Sequence, residues 1–225
     1  ILVHEGDAPS VEHISLDSRK MTGNDLFVPI IGERADGHDY ICMAIGNGAK
    51  AVFTSRHKTE EEVQEAIFTQ CKGDKEKETA AKAAAWICVP DTRKALQDLG
   101  AYCRKKHPLP LIGITGSVGK TTTREMVAAA LSAGFLVYKT PGNSNSQVGV
   151  PITVAEIPEN AEIGVIELGM SEPGERTRIA NVARVNCAAV TNIGVPHIEQ
   201  VGSQENIIME KLHIQEGMTE DGTLF

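Results

Sequence analysis

The segment Gly113-Ile114-Thr115-Gly116-Ser117-Val118-Gly119-Lys120-Thr121-Thr122-Thr123 sets two close glycines, a lysine and a run of hydroxyls directly after apolar residues. Those residue types in that order suit phosphate. Gly116 and Gly119 allow a backbone to turn sharply and to approach a ligand closely. Successive N–H groups in such a turn converge on an anion. A helix that starts at the loop adds the partial positive charge of its N-terminus. Lys120 supplies a full charge for the outer phosphates of ATP, and Thr121 a hydroxyl for Mg²⁺. The expected phosphate contacts are therefore Thr115, Gly116, Ser117, Val118, Gly119, Lys120, Thr121 and Thr122. The strict pattern places a glycine where Ile114 stands. A glycine-rich strand-to-helix turn without a ligand would keep the remainder.

Four further positions carry candidate chemistry. Glu167 follows the apolar run Ile163-Gly164-Val165-Ile166, and a carboxylate there can hold Mg²⁺ directly or through water. A solvated or capping glutamate would look the same. His197 comes just after Thr191-Asn192-Ile193-Gly194-Val195-Pro196 and is either a metal or phosphate ligand or an ordinary loop histidine. Asn143 and Asn145 sit in Thr140-Pro141-Gly142-Asn143-Ser144-Asn145-Ser146. Their amides serve turn geometry or a polar substrate equally well. Lys211 lies mid-helix and, by itself, reads as a surface lysine.

These residues need elements to hold them. In the second half, residues 111–115, 136–139, 163–168 and 187–192 read as strands. Residues 121–133, 173–182 and 204–216 read as helices. Alternation of this kind predicts a mostly parallel sheet with flanking helices, similar to the P-loop NTPases. Ligands of such sheets bind beyond the carboxyl ends of the strands. Thr115, Glu167 and Asn192 all fall at such ends, so the three should meet in one crevice. The final residues 220–225 read as a turn entering another strand.

In the first half, residues 25–31, 49–54 and 86–89 read as strands. Residues 40–47 read as a helix stopped by Gly48, and residues 92–105 as one entered through Asp91. Residues 59–85 are rich in Glu, Lys and Ala. They are expected to be partly helical, with a solvated excursion over 70–77. The basic, proline-punctuated run Arg104-Lys105-Lys106-His107-Pro108-Leu109-Pro110 reads as a linker. The expected fold is α/β, with a small N-terminal α/β domain over 1–106 and a second domain over 107–225.

The chain has 225 residues, enough for two modest cores. Its formal charge of -8 argues against a general nucleic-acid binder. Five scattered cysteines lack any C-x-x-C pair, so they read as reduced thiols of a cytoplasmic protein rather than a disulfide framework or zinc site. No apolar run is long enough to span a membrane.

Taken together, these segments resemble the Mur ligases, and the likeness covers nearly the whole chain. Asp17-Ser18-Arg19, Asp25-Leu26-Phe27-Val28 and Gly32-Glu33-Arg34-Ala35-Asp36-Gly37-His38 are similar to the family's N-terminal UDP-binding domain. Thr115-Gly116-Ser117-Val118-Gly119-Lys120-Thr121-Thr122 is the family's form of phosphate loop, which accommodates Ile114. Asn143-Ser144-Asn145 with Gly149-Val150-Pro151 resembles its substrate-side loop, although Ser146 stands where the family usually has a second Asn. Glu167-Leu168-Gly169-Met170 with Gly174-Glu175, and His197-Ile198-Glu199 with Gly202-Ser203 and Glu205, resemble the MurF type. Arg176 and Pro196 depart from the commoner Ile and Ala.

The resemblance implies an ATP-dependent ligase of peptidoglycan synthesis that joins D-Ala-D-Ala to UDP-MurNAc-tripeptide through an acyl phosphate. It implies a monomer that uses two Mg²⁺ ions, held by Thr121, Glu167, His197 and Lys211. Lys120, Glu167, His197 and Lys211 would be catalytic, with Lys211 carbamylated into an anion fit to ligate metal. Ser18, Arg19, Asp36, His38, Asn143 and Asn145 would touch substrate. The alternatives are a MurE-type ligase that adds one amino acid to UDP-MurNAc-dipeptide, and a non-catalytic module that binds a UDP-sugar or nucleotide. The chain reads as cut at both ends, and these 225 residues alone are expected not to catalyse ligation.

Overall fold

The computed structural model describes residues 1–7, 10–169, 175–194 and 204–225. It divides into two compact units, Ile1–Ala95 and Leu96–Phe225.

The first unit is built on one five-stranded sheet. Its strands are β1 (Leu2–His4), β2 (His13–Ser15), β3 (Asp25–Phe27), β4 (Ala49–Thr54) and β5 (Ala85–Cys88), in the order β1-β5-β4-β3-β2. Strands β2 to β5 run parallel, and β1 closes one edge antiparallel to β5. A 3₁₀ turn (Gly37–Tyr40) leads into helix α1 (Ile41–Gly46), and α2 (Glu60–Cys71) and α3 (Lys75–Ala83) cross from β4 to β5. The core gathers Phe27, Ile41, Val52, Ile67 and Trp86. Trp86 is fully buried because its indole N–H has a partner, donating to Ala81 O at 3.1 Å.

Two expectations for this unit need correction. Residues 70–77 are largely exposed, as expected, but they are mostly helix rather than an excursion. Helix α2 continues to the buried Cys71, and the break is confined to Lys72 and Gly73, both at positive φ, before Asp74 caps α3. The short edge strands β1 and β2 were also not foreseen, since neither shows an apolar alternation long enough to register.

Helix α4 (Thr92–Lys106) spans the division between the units, and Asp91 caps its start by accepting from Lys94 N at 2.9 Å. The expected linker over 104–110 is therefore partly helix. Arg104 is buried, and its guanidinium donates to the carbonyls of Ala183, His107 and Arg184 at 2.9, 3.0 and 3.1 Å. A five-donor guanidinium can satisfy such a cluster, so this basic residue is a strut rather than a solvated joint.

The second unit contains β6 (Leu111–Thr115), α5 (Lys120–Leu131), β7 (Val137–Lys139), α6 (Gly149–Ala155), β8 (Ile163–Glu167), α7 (Glu175–Ala183), β9 (Cys187–Val190), α8 (Gln204–Leu212) and β10 (Thr223–Leu224). All five strands are parallel, in the order β10-β9-β6-β8-β7. Alternation along β6 feeds two cores. Ile114 packs with Val165 and Ala128 of α5 on one face. Leu111 joins Ile166, Ile179 and Ile214 on the other. Helix α8 stops at Leu212 and gives way to a 3₁₀ turn (His213–Gly217), shorter than the expected 204–216. Helix α6, with Pro151 in its first turn, was missed because its glycine and proline read as loop.

Strand order makes the site. The chain leaves β6 for β7, returns to β8 beside β6, then crosses to β9 on the opposite side. Strand β6 is thus the switch point where a crevice opens at the carboxyl edge.

Candidate functional site

The turn after β6 begins at Gly116, with φ of 144°, and ends at Gly119, with φ of 84°. A side chain at 116 would meet Thr191 Oγ1 at 2.0 Å, so this close approach needs glycine. Ile114 lies two residues before the turn, fully buried in the strand, where its side chain packs against the α5 face. The strict motif's glycine is not required there because position 114 does not turn.

The loop is stitched to the segment after β9. Ser117 N donates to Asn192 O at 2.9 Å, Thr191 Oγ1 to Val118 O at 2.6 Å, and Gly194 N to Ser117 Oγ at 3.0 Å. Helix α5 starts at Lys120 behind Gly119 with no side-chain cap. Its first N–H groups are left for an outside acceptor. Lys120 Nζ donates to Gly116 O at 2.9 Å, which folds the ammonium over the loop. These groups line a cavity of about 380 Å³ with Ser117, Val118, Thr122, Asn143, Asn145 and Glu167.

Glu167, at the end of β8, is opposite Ile114 in the ladder and only 2% exposed. Its backbone N–H donates to Thr140 Oγ1 at 2.8 Å. Its carboxylate accepts from Thr121 Oγ1 at 3.0 Å, from Asn145 Nδ2 at 2.8 Å and, more distantly, from Arg124 Nη1 at 3.4 Å. The solvated-cap reading of Glu167 is excluded by that burial. A carboxylate oxygen and a threonine hydroxyl 3.0 Å apart beside a phosphate loop are a hard-oxygen donor set, which fits Mg²⁺. Among the described residues no group of three or more His, Cys, Asp or Glu could hold a metal ion.

Asn145 has a second duty, its carbonyl accepting from Gly169 N at 2.7 Å. Ser146 Oγ accepts from Gly149 N at 3.3 Å, at the start of α6. Lys211 is buried at the end of α8 and engaged with a partner, not a surface lysine. It is not among the cavity-lining residues. His197 lies outside the described residues, as do Met170, Pro173, Gly174, Pro196, Ile198, Glu199, Gly202 and Ser203.

A second cavity, of about 550 Å³, opens in the first unit. Asp17, Ser18, Arg19, Phe27, Ile30 and Tyr40 are among its lining residues. Arg19 binds Asp17 through two nitrogens at 2.8 and 2.9 Å, and this pairing holds the Asp17 carboxyl well below the usual range. Asp36 and His38 do not line this cavity. His38 is fully buried. Ser55 N donates to its Nε2 at 3.0 Å, so the ring proton sits on Nδ1 and goes to Asp36 at 2.6 Å. Asp36 also accepts from Arg56 at 2.5 Å. Burial pushes the Asp36 carboxyl up, but the His38 backbone and ring N–H groups and Arg56 outweigh it and hold the acid below its ordinary value. With both ring nitrogens occupied, His38 braces the 3₁₀ turn.

The sequence reading missed Thr140, Thr191 and Arg124. The first two act through hydroxyls that carry no motif. Arg124 follows Thr121 by three residues on a helix, which places both on one face, and that spacing was a usable signal.

Comparison with known proteins gives consistent matches. Residues 10–104 match the Mur ligase family, catalytic domain, and residues 114–225 the Mur ligase middle domain. The chain is 37% identical over 214 residues to a UDP-N-acetylmuramoyl-tripeptide--D-alanyl-D-alanine ligase of Bacillus subtilis, which covers 95% of this chain and 43% of that protein. The Escherichia coli ligase of the same name is 32% identical, over 97% of this chain and 43% of its own length. Among solved structures, MurF from Acinetobacter baumannii superposes with a TM-score of 0.79 at 30% identity, covering 95% of this chain and 43% of that one. MurF ligase from Thermotoga maritima in complex with ADP gives 0.77 at 28%, covering 98% and 46%. The chain thus spans less than half the length of the curated relatives it matches.

Proposed function

Because the chain belongs to the Mur ligase family, we propose that the full-length protein joins D-alanyl-D-alanine to UDP-N-acetylmuramoyl-tripeptide with hydrolysis of ATP to ADP and phosphate. The observation that carries the reading is the crevice at the end of β6. There a capless helix start, Lys120, Thr121 and the buried Glu167 face one cavity. The names of the matched relatives supply the substrates, and they favour the dipeptide-adding ligase over one that adds a single amino acid.

Amide formation from a carboxylate needs an activated acyl group. Phosphoryl transfer from ATP to that carboxylate supplies it, and the amine of the dipeptide then displaces phosphate. In this scheme the loop N–H groups and Lys120 hold the β- and γ-phosphates in line, so positioning and charge stabilisation do most of the work. Bound Mg²⁺ would neutralise phosphate charge as the phosphoryl group moves. Thr121 and Glu167 would hold one ion, and His197 with carbamylated Lys211 a second. Asn143 and Asn145, at the cavity wall, would orient the acyl substrate. Ser18 and Arg19 would contact the UDP portion from the first unit.

The test is phosphate release by the full-length enzyme. Turnover is expected only when ATP, the UDP-tripeptide and D-alanyl-D-alanine are all present. Equal turnover with one free amino acid in place of the dipeptide would reject the assignment.

A further inference from the structure

Arg124 is a buried charge for which the proposed reaction has no use. It is 4% exposed and lies one turn into α5, behind the phosphate loop. Its Nη1 donates to Gly142 O at 2.8 Å and lies 3.4 Å from Glu167 Oε2. One guanidinium nitrogen therefore touches both the loop that carries Asn143 and Asn145 and the carboxylate at the end of β8. The rest of the group is held from behind. Nε and Nη2 both donate to Glu125 Oε1, at 3.2 and 2.6 Å, and Glu125 also pairs with Lys139 at the end of β7.

We propose that Arg124 is a positioning residue that aims the Glu167 carboxylate and locks the 140–146 loop against it, so that it sets how strongly Mg²⁺ couples to nucleotide binding. Glu167 is buried, and a buried carboxylate without full compensation shifts to whatever donors it can reach. Thr121 and Asn145 are neutral donors. Arg124 is the cation that touches Glu167 among the described residues. The planar guanidinium, clamped by Glu125, fixes the direction of Nη1, which a point-charge ammonium reproduces only in part. Arg124 is not itself among the residues that line the cavity, so its effect passes through Glu167 and the 140–146 loop.

This role rests on the proposed function, and one experiment separates the two. ADP binding to the full-length protein is measured by calorimetry with saturating Mg²⁺ and again with EDTA. The readout is the dissociation constant in EDTA divided by that in Mg²⁺. Arg124→Met is expected to lower that ratio about tenfold, by weakening the Mg²⁺ arm while the EDTA arm stays within about twofold. Arg124→Lys should fall between the two. An unchanged ratio, equal weakening of both arms, a tighter Mg²⁺ arm, or a lysine variant as poor as methionine overturns the role. If Arg124→Met loses its melting transition, Glu125→Ala at the half-exposed clamp is read in the same way. It should lower the ratio severalfold, and no change overturns the role. Wild-type binding indifferent to Mg²⁺ would instead strike at the proposed function.

Discussion

Thr121 Oγ1 lies 3.0 Å from Glu167 Oε2, joining the first turn of α5 to the end of β8. The two residues are far apart in sequence but belong to neighbouring strand–helix units, because β8 pairs directly with β6. An oxygen pair so placed can close on one cation beside the phosphate loop. Thr121→Val and Glu167→Gln are each expected to weaken Mg²⁺-dependent nucleotide binding about 10–100-fold. Titration of Mg²⁺ at fixed nucleotide checks this. Retention of wild-type Mg²⁺ dependence by both variants would exclude the pair as the ion's anchor.

Lys120 is partly exposed, and its bond is to a loop carbonyl. Lys120→Ala should therefore change folding stability by no more than about 0.5 kcal/mol. Turnover by the full-length enzyme should be abolished, since the outer phosphates lose their cation. Chemical denaturation and phosphate release, measured on one preparation, separate the two effects.

Gly116→Ala attacks the loop by geometry. The added carbon would sit 2.0 Å from Thr191 Oγ1 at a φ of 144°. Backbone strain alone costs about 1–3 kcal/mol, and the clash adds to it. The melting temperature should drop and nucleotide binding should vanish. Adding Thr191→Ala should recover only part of the stability, because the strained φ and the 3.1 Å contact with Asn192 N remain. Full recovery would show that the hydroxyl alone sets the glycine requirement.

His38→Ala tests the bracing role against substrate contact. The change leaves Ser55 N–H and the Asp36 carboxylate short of a partner and opens a buried cavity. A loss of about 3 kcal/mol is expected. UDP affinity of the folded fraction should stay within a few-fold of wild type. Unchanged stability with lost UDP binding would place His38 in the substrate site instead.

His4 gives a pH dependence. Its ring bonds Glu60 at 2.9 Å and Lys82 O at 2.6 Å. Burial alone would lower its pKa, but the Lys82 carbonyl and Glu60 outweigh burial and raise it above 6.5. The folded protein therefore holds the proton more tightly than the unfolded chain. Its contribution to stability is complete below pH 6.5 and is lost as pH rises through the raised value. Melting temperatures at pH 5.5 and 8.5 should show a difference that His4→Gln reduces. An identical pH slope in the variant would remove His4 from the account.

Much of this protein was legible in its residues. The phosphate loop, the strand ends at Thr115 and Glu167, and the parallel sheet follow from local signals: apolar runs, glycines before a lysine, and helix-length intervals between strands. The resemblance carried by the loop and by the Asp17 and Glu167 stretches agrees with the family to which the chain belongs. These features are encoded within a few residues of one another, so one chain suffices to read them.

What the fold alone decided is which distant groups share a carboxylate. Sequence marks Glu167 as an acid after a strand, but only the β6–β8 pairing brings Thr121, Asn145 and Arg124 to it. It marks Asp36 and His38 as polar residues in a loop, and only packing closes both ring nitrogens of His38 on Asp36 and Ser55. It marks Arg104 as part of a basic linker, and only packing delivers the carbonyls around Ala183 to the guanidinium. In each case a polar side chain has several partners that would satisfy it, and water is one of them. Burial removes water, and the partner that remains is set by strand order and helix docking, which no local window of sequence contains.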